Sequence, residues 1–417
     1  MTITAATLLA RALAGAGVDA VYGDPLDGLA VVEVGEPAVA ALLALAHARV
    51  HRVAAAVHTA GCLTIGDGRE VRVIADARDL VDPLPASVTL RLGLDLAAPA
   101  PDVVPSQAAG RDRWSDAAPA DVDRLRRASA PAVLAGPGVV TAGAVDGLNA
   151  FATAGDVGVL NTWGAKGVFH WRSRHHWATV GLQADDFRLG GFAGADLIVA
   201  TGVDEDEAPP SHWQLAPVLT VDPRALLALS EQWRRPAADL EVPPLRAGLA
   251  AVTQEGWASP AVPMPPTRAT LHYGQLFGAG GIVAADPGLA GYWVARTFST
   301  TSLGSAQVPA RRGAGFSAAC ATVARLRRPT RPVLAVVDAV TAPVAAVLEA
   351  AASLGVAVPV EVWDPDGPAL DGDAHLARLR RLAVAERPAP VALRTDPDQL
   401  ARMIDVAGPV IAWGGLS

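Results

Sequence analysis

PAVLAGPGVVTAGAVDGLNAFATAGDVGVL, residues 131–160, decides the fold. PAVLAGPGV (131–139) reads as a short apolar strand that ends in a Gly-Pro-Gly turn. A helix is predicted over about 142 to 153, and VGVL (157–160) is the next strand. Strand, glycine turn, helix and strand in this order form the repeating unit of a parallel, doubly wound sheet.

The same rhythm extends in both directions. Downstream, ADLIVATG (195–202) and PVLTVDP (217–223) predict two more strands of the same sheet. A further unit follows, with strands at GIVAAD (281–286), PVLAVVD (332–338), VAVPVEVW (356–363), PVALRT (390–395) and PVIAWG (409–414). Upstream, Leu8, Leu9, Ala12 and Leu13 have helical spacing over 4–14, Gly15 and Gly17 end that helix, and VDAVYG is a strand. A second helix is predicted over 37–48. CLTIGDGREVRVIA predicts a hairpin turning at Asp67-Gly68. Two stretches rich in proline, 95–120 and 242–267, read as linkers. The expected fold is therefore α/β, with three doubly wound parallel-sheet units spanning 1–105, 106–262 and 263–417, the first of them truncated.

The 417 residues are 51% hydrophobic and carry a net charge of −8, which argues against a nucleic-acid or anionic-membrane binder, since both need a basic face. Lysine occurs once, at Lys166, among 34 basic residues; arginine supplies the rest. Cys62 and Cys320 lack the partners of a zinc site or a disulfide framework, so a reducing, cytoplasmic setting is expected. MTITAATLLARALAGAG lacks a basic leading region and reads as a first helix. The most apolar window, AVAALLALAHARVHRVAAAV, contains His47, Arg49, His51 and Arg52 and is not expected to span a membrane. GxSxG, HExxH and P-loop patterns are absent.

The run AGPGVVTAGAVDGLNAFATAGDVGVLNTWGAKGVFHW…TVGLQADDF…GFAGADLIVATGVDEDE resembles the central domain of thiamine-diphosphate-dependent enzymes, in the branch of acetolactate synthases and 2-oxoacid decarboxylases. ATLLARALAGAGVDAVYGDP resembles the start of that family's pyrimidine-binding domain. GIVAADPGLAGYWVARTF, GAGFSAACATVARL and RPVLAVVDAV resemble its pyrophosphate-binding domain. The resemblance implies thiamine diphosphate and Mg²⁺ as cofactors and an active site formed between subunits, hence a homodimer or a paralogous enzyme subunit as partner.

Departures from the family pattern bear on every site residue. The family's Gly-Asp-Gly appears here as Val337-Asp338-Ala339, and the region of its asparagine pair reads EVWDPDGPAL (361–370). Asp338 and Asp366 are the implied Mg²⁺ ligands, Asp338 also being the diphosphate contact; Asp364 rivals Asp366. Two carboxylates satisfy the oxygen preference of Mg²⁺ but oppose an anionic diphosphate. The alternative is a capping Asp338 and a DPDG turn. Glu36, before an Ala-rich helix ending in Ala48-Arg49, matches the catalytic glutamate of the family, although Gly35 stands where a histidine is expected. Glu36-Pro37 is equally a good helix start. Gly66-Asp67-Gly68 belongs to the hairpin turn.

In NTWGAKGVFHWRSRHHW (161–177), Lys166 is a candidate phosphate contact, with aromatic residues to stack on an adenine; the alternative is a structural loop. His175 and His176 are adjacent and would face opposite ways on a strand. Asp204 to Glu207 read as a solvated acidic turn, and Arg311-Arg312 as a surface pair. GPGVVTAG (136–143) is not a dinucleotide fingerprint. The leading expectation is a thiamine-diphosphate-enzyme-like pseudoenzyme, an accessory or scaffold homologue. The alternatives are a divergent 2-oxoacid decarboxylase or carboligase, and a nucleotide-binding module centred on Lys166.

Overall fold

The computed structural model describes residues 2–66, 68, 70–105, 114–237, 240–387 and 389–416. Two of its sheets are wholly parallel, each with five strands.

The N-terminal unit departs from the expected pattern. Its strands are β1 (Thr2–Thr4), β2 (Val18–Gly23), β3 (Val32–Glu33), β4 (Ala54–Thr59), β5 (Cys62–Ile65), β6 (Glu70–Ile74), β7 (Val88–Leu92) and β8 (Pro99–Pro101). Six of them form a mixed sheet in the order β3-β2-β4-β5-β7-β6, and β1 pairs with β8 apart from it. Pro99–Pro101 therefore lies inside a segment read as a linker. The expected hairpin between 62 and 74 does not form: β5 pairs antiparallel with β4 and β7, and β6 lies parallel to β7. The tight turn falls one strand earlier, at Ala60 (φ 49°) and Gly61 (φ 74°). Two successive left-handed residues follow the twist of the flanking strands, which is what a two-residue hairpin needs. Asp67 lies outside the described residues. Helix α1 (Ala5–Gly15), capped by the Thr4 hydroxyl, buries Leu8, Leu9 and Leu13 on one side of the sheet. Helix α2 (Pro37–His51) packs on Tyr22 of β2 and Ala55 of β4 and, at the same time, against the C-terminal unit.

The middle unit runs α3 (Pro119–Arg127), β9 (Pro131–Ala135), α4 (Gly138–Thr141), α5 (Val145–Gly155), β10 (Val159–Thr162), β11 (His176–Val180), α6 (Asp186–Leu189), β12 (Leu197–Thr201), α7 (Pro210–Trp213), β13 (Val218–Val221) and α8 (Leu226–Gln232). Strand order β11-β10-β9-β12-β13 places the topological switch between β9 and β12. There Gly138 N–H donates to Gly202 O at 2.8 Å, and a Cβ on Gly136 would sit 2.3 Å from that oxygen. The glycines of GPG thus serve close backbone packing.

The segment 242–267, read as a linker, carries a 15-residue helix, α9 (Pro244–Ala258). Pro244 opens it, where a missing N–H costs nothing. Its apolar positions bury Leu245 and Val252 between the middle and C-terminal units. The C-terminal unit continues with α10 (Pro266–Phe277), β14 (Ile282–Ala285), α11 (Leu289–Thr297), β15 (Ala306–Gln307), α12 (Phe316–Arg327), β16 (Val333–Val337), α13 (Ala342–Ser353), β17 (Pro359–Trp363), α14 (Gly372–Ala383), β18 (Ala389–Leu393) and α15 (Asp398–Ala407). PVIAWG (409–414) adds no strand to this sheet. Val410 bridges to Gln183, and Ile411 N–H donates to Leu182 O at 2.9 Å, so the apolar run pins the C-terminus to the middle unit.

Two further contacts bind the units together. Val39, Ala40 and Leu43 of α2 share a continuous core with Ala318, Ala319 and Val323 of α12. Small residues on both helices allow close approach. The other contact is polar. The Arg296 guanidinium on α11, fully buried, meets both oxygens of buried Asp186 at 2.8 and 2.9 Å and Thr179 O at 2.7 Å. Asp186 also accepts from the N–H groups of Leu182 and Gln183. Removing one member leaves the other as an uncompensated buried charge. Arg296→Met is expected to cost about 3–5 kcal/mol in a urea unfolding titration, and Arg296→Met with Asp186→Asn less than that.

Candidate functional site

Strands β14 and β16 are parallel neighbours, so the residues that follow them emerge at one edge of the sheet. Those residues are both acids. Asp286, after β14, accepts from the N–H groups of Gly315 (2.6 Å) and Ser317 (2.7 Å), at the start of α12. Asp338, after β16, accepts from the N–H groups of Leu289 (2.6 Å) and Ala290 (2.8 Å), at the start of α11. Each carboxylate thus takes up the free N–H groups of a helix first turn and sits at its positive end. Burial raises the pKa of both, against the opposing pull of these N–H bonds; at Asp338 the nearby Asp286 charge adds to the rise. The close approach depends on Gly288 (φ 132°), where a Cβ would fall 2.1 Å from Asp338 Oδ2. The glycine that accommodates Asp338 therefore comes from the DPG loop after β14 rather than from its own strand.

Asp366 takes no part in these helix-end contacts. It is exposed in the turn Asp364-Pro365-Asp366-Gly367, where its N–H donates to Asp364 Oδ1 at 2.9 Å and Gly367 N–H to Asp364 O at 2.9 Å. Among the described residues no group of three or more His, Cys, Asp or Glu is placed to hold a metal ion. Glu36 occupies the position before α2 with extended backbone (φ −108°, ψ 116°), its side chain exposed and making no capping hydrogen bond.

Lys166 lies elsewhere again. The loop after β10 turns it inward, where it is 6% exposed and its Nζ reaches the Thr179 hydroxyl at 3.4 Å. Burial, reinforced by the Arg296 charge, lowers its pKa to about 7. It lines a cavity of about 310 Å³ enclosed by the loop, β11, one face of α9 and the end of α11. A different crevice opens at the switch point of the middle sheet, where open α/β sheets place ligands. Its wall includes Gly138, Gly202, Asp222 and Arg224, and Lys166 is not part of it.

One residue of the acidic run is not solvated as expected. Glu207 is 1% exposed and sits where the three units meet. Its Oε2 accepts from Gly164 N–H at 2.9 Å, and Arg49 of α2 stands 3.9 Å from Oε1. Gly164 is required there, since a Cβ would lie 2.2 Å from Oε1. Nearby, the indole N–H groups of Trp163 and Trp413 both donate to Pro309 O. No pattern in DEDE distinguishes Glu207 from its neighbours; the only hint is Ala208, which ends the run apolar. Arg311 contacts Asp206 at 2.5 Å on the surface, as its reading as a surface residue anticipates.

Residues 120–225 match the family of thiamine pyrophosphate enzyme central domains. The match takes in the whole middle sheet, from α3 to the turn after β13, and supports the resemblance read from the sequence. No curated protein matches the chain. Among the described residues no helix is long and apolar enough to cross a membrane.

Burial raises the Glu207 pKa to about 7, against an ordinary carboxyl value of 4.5. Between those values the folded chain keeps a proton that the unfolded chain has released, so stability falls as pH rises through this window. Glu207→Gln is expected to remove that part of the slope. Urea midpoints at pH 5, 6, 7 and 8 should show the variant gaining on the parent as pH rises, with the difference levelling off above about pH 7.

Proposed function

We propose that this is a thiamine-diphosphate-enzyme-like protein without a conventional cofactor site, serving as an accessory or scaffold homologue of acetolactate synthases and 2-oxoacid decarboxylases. The observation that carries this reading is the pairing of Asp338 with the first turn of α11 and of Asp286 with that of α12. Helix N-termini at the carboxyl edge of a parallel sheet are the natural seat of a phosphate. Here both already hold carboxylates of the chain itself. A diphosphate arriving at this edge meets two acids in place of free N–H groups. The residues present therefore do not fit the Mg²⁺–diphosphate group.

The packing of α2 on α12 within a single chain also bears on assembly. It covers faces of both helices, so a homodimer or a complex with a paralogous enzyme subunit would use other surfaces, in a cytoplasmic setting.

Calorimetric titration with thiamine diphosphate and Mg²⁺ tests the proposal directly. The expected result is no binding at millimolar cofactor. Asp338→Ala is expected to lower stability by about 1 kcal/mol, the cost of leaving helix N–H groups uncapped, rather than to alter cofactor binding. Low-micromolar binding abolished by Asp338→Ala would instead establish the divergent-enzyme alternative, in which Glu36 activates the cofactor and Asp338 with Asp366 holds the metal.

A further inference from the structure

We infer that the cavity around Lys166 is a binding site for a small organic acid with a planar aromatic body and a single carboxylate. This inference is independent of the thiamine reading, because the cavity shares no residue with the strand-end carboxylates.

Charge is the first argument. Among the described residues the cavity wall contains no Asp or Glu. Arg296, at its edge, is already balanced by Asp186. Among the described residues Lys166, Arg172 and Arg246 face no carboxylate there: Lys166 reaches a hydroxyl, the Arg172 guanidinium lies over the Trp171 ring at 4.7 Å, and the Arg246 Nη1 reaches the Arg174 carbonyl at 3.5 Å. A buried ammonium without a counter-ion is costly and tends to lose its proton, as the lowered Lys166 pKa reflects, and an anion beside it restores the charge. The chain uses arginine almost everywhere else, so its one lysine is placed where a compact point charge on a flexible stem is wanted.

The wall supplies the rest of the specificity. Trp171 and Trp257 meet edge to face, with centroids 5.8 Å apart, and Trp177 adds a third indole from β11. Trp257 Nε1 is buried with no hydrogen-bond partner. A volume of about 310 Å³ is at the small end for ligand pockets, which run from about 300 to 1,000 Å³. A carboxylate is favoured over a phosphate by what α9 presents. It lines the cavity along its length, from Arg246 in the first turn through Ala250 and Thr253 to Trp257, and Pro244 at its start removes one of the N–H groups that a phosphate would use. A guanidinium and an ammonium pairing one carboxylate suit this geometry.

The full-length protein is titrated with naphthalene-2-carboxylate, followed by tryptophan fluorescence and by calorimetry, with 2-naphthamide and AMP in parallel. The expected result is saturable quenching by the acid, with the amide weaker by about tenfold, the effect of losing one hydrogen bond to a charged group. Lys166→Met should weaken the acid by about tenfold or more and leave amide binding unchanged. Arg246→Gln, at a half-exposed helix position, should weaken the acid severalfold and guards against a folding defect in the first variant. The inference is overturned by equal binding of acid and amide, by unchanged affinity in both variants, by displacement of the acid by lower concentrations of AMP, or by no saturable quenching.

Discussion

The buried pair Arg296–Asp186 fixes how the middle and C-terminal units sit together. Asp186 is held by two backbone N–H groups of its own loop, and Arg296 is held by α11, so neither charge can follow the other if the units separate. Gln183 extends the clamp: its Oε1 accepts from Tyr292 and Arg296, while its amide nitrogen donates to Met403 O and Gly408 O. The cluster therefore ties β11, α11 and the C-terminal segment into one buried polar network. Such a network adds little net stability over an apolar core, but it discriminates strongly against any other docking, because each misplacement strands a charge. The placement of α9, and with it the Lys166 cavity, follows from this geometry.

The strand-end carboxylates form a second constraint. Parallel sheets flanked by helices leave helix N-termini at one edge, and those N–H groups must find acceptors. A ligand phosphate is one solution, and it makes an ordered edge depend on the ligand. Asp286 and Asp338 are the other: the acceptors belong to the chain, and α11 and α12 start correctly without help. Gly288 permits the second of these contacts by removing the side chain that would block it.

Much of this fold was legible because strong periodicity survives context. The strands at 131–135, 197–201, 282–285 and 333–337 fall where their apolar runs predict, since full burial on both faces leaves a continuous apolar signature. The hairpin at Asp67-Gly68 was misplaced because Asp-Gly is the stronger local turn signal, while the turn that forms, Ala60-Gly61, spends a left-handed alanine. The helix Pro244–Ala258 was hidden by prolines at its ends, which look like linker residues yet are good helix openers. At the site, Asp338 and Lys166 stood out by residue type. Asp286 and Glu207 did not, because their importance comes from partners 29 and 43 positions away along the chain, Gly315 and Gly164.

These features have a common logic of charge. Asp286, buried, and Asp338, half-buried, are acids answered by helix ends, and Asp186 is a buried acid answered by a guanidinium. Glu207 is only partly answered, by one N–H and by an arginine at 3.9 Å, and burial accordingly shifts it toward its neutral form. Lys166 is the mirror case, a buried cation facing a hydroxyl and open space. Proteins rarely retain a poorly compensated buried charge for stability alone, since an apolar residue of similar volume would serve better. The strand-end acids have become structural because their partners are internal. The lysine, whose partner is not, is among the described residues a buried basic group that calls for something from outside.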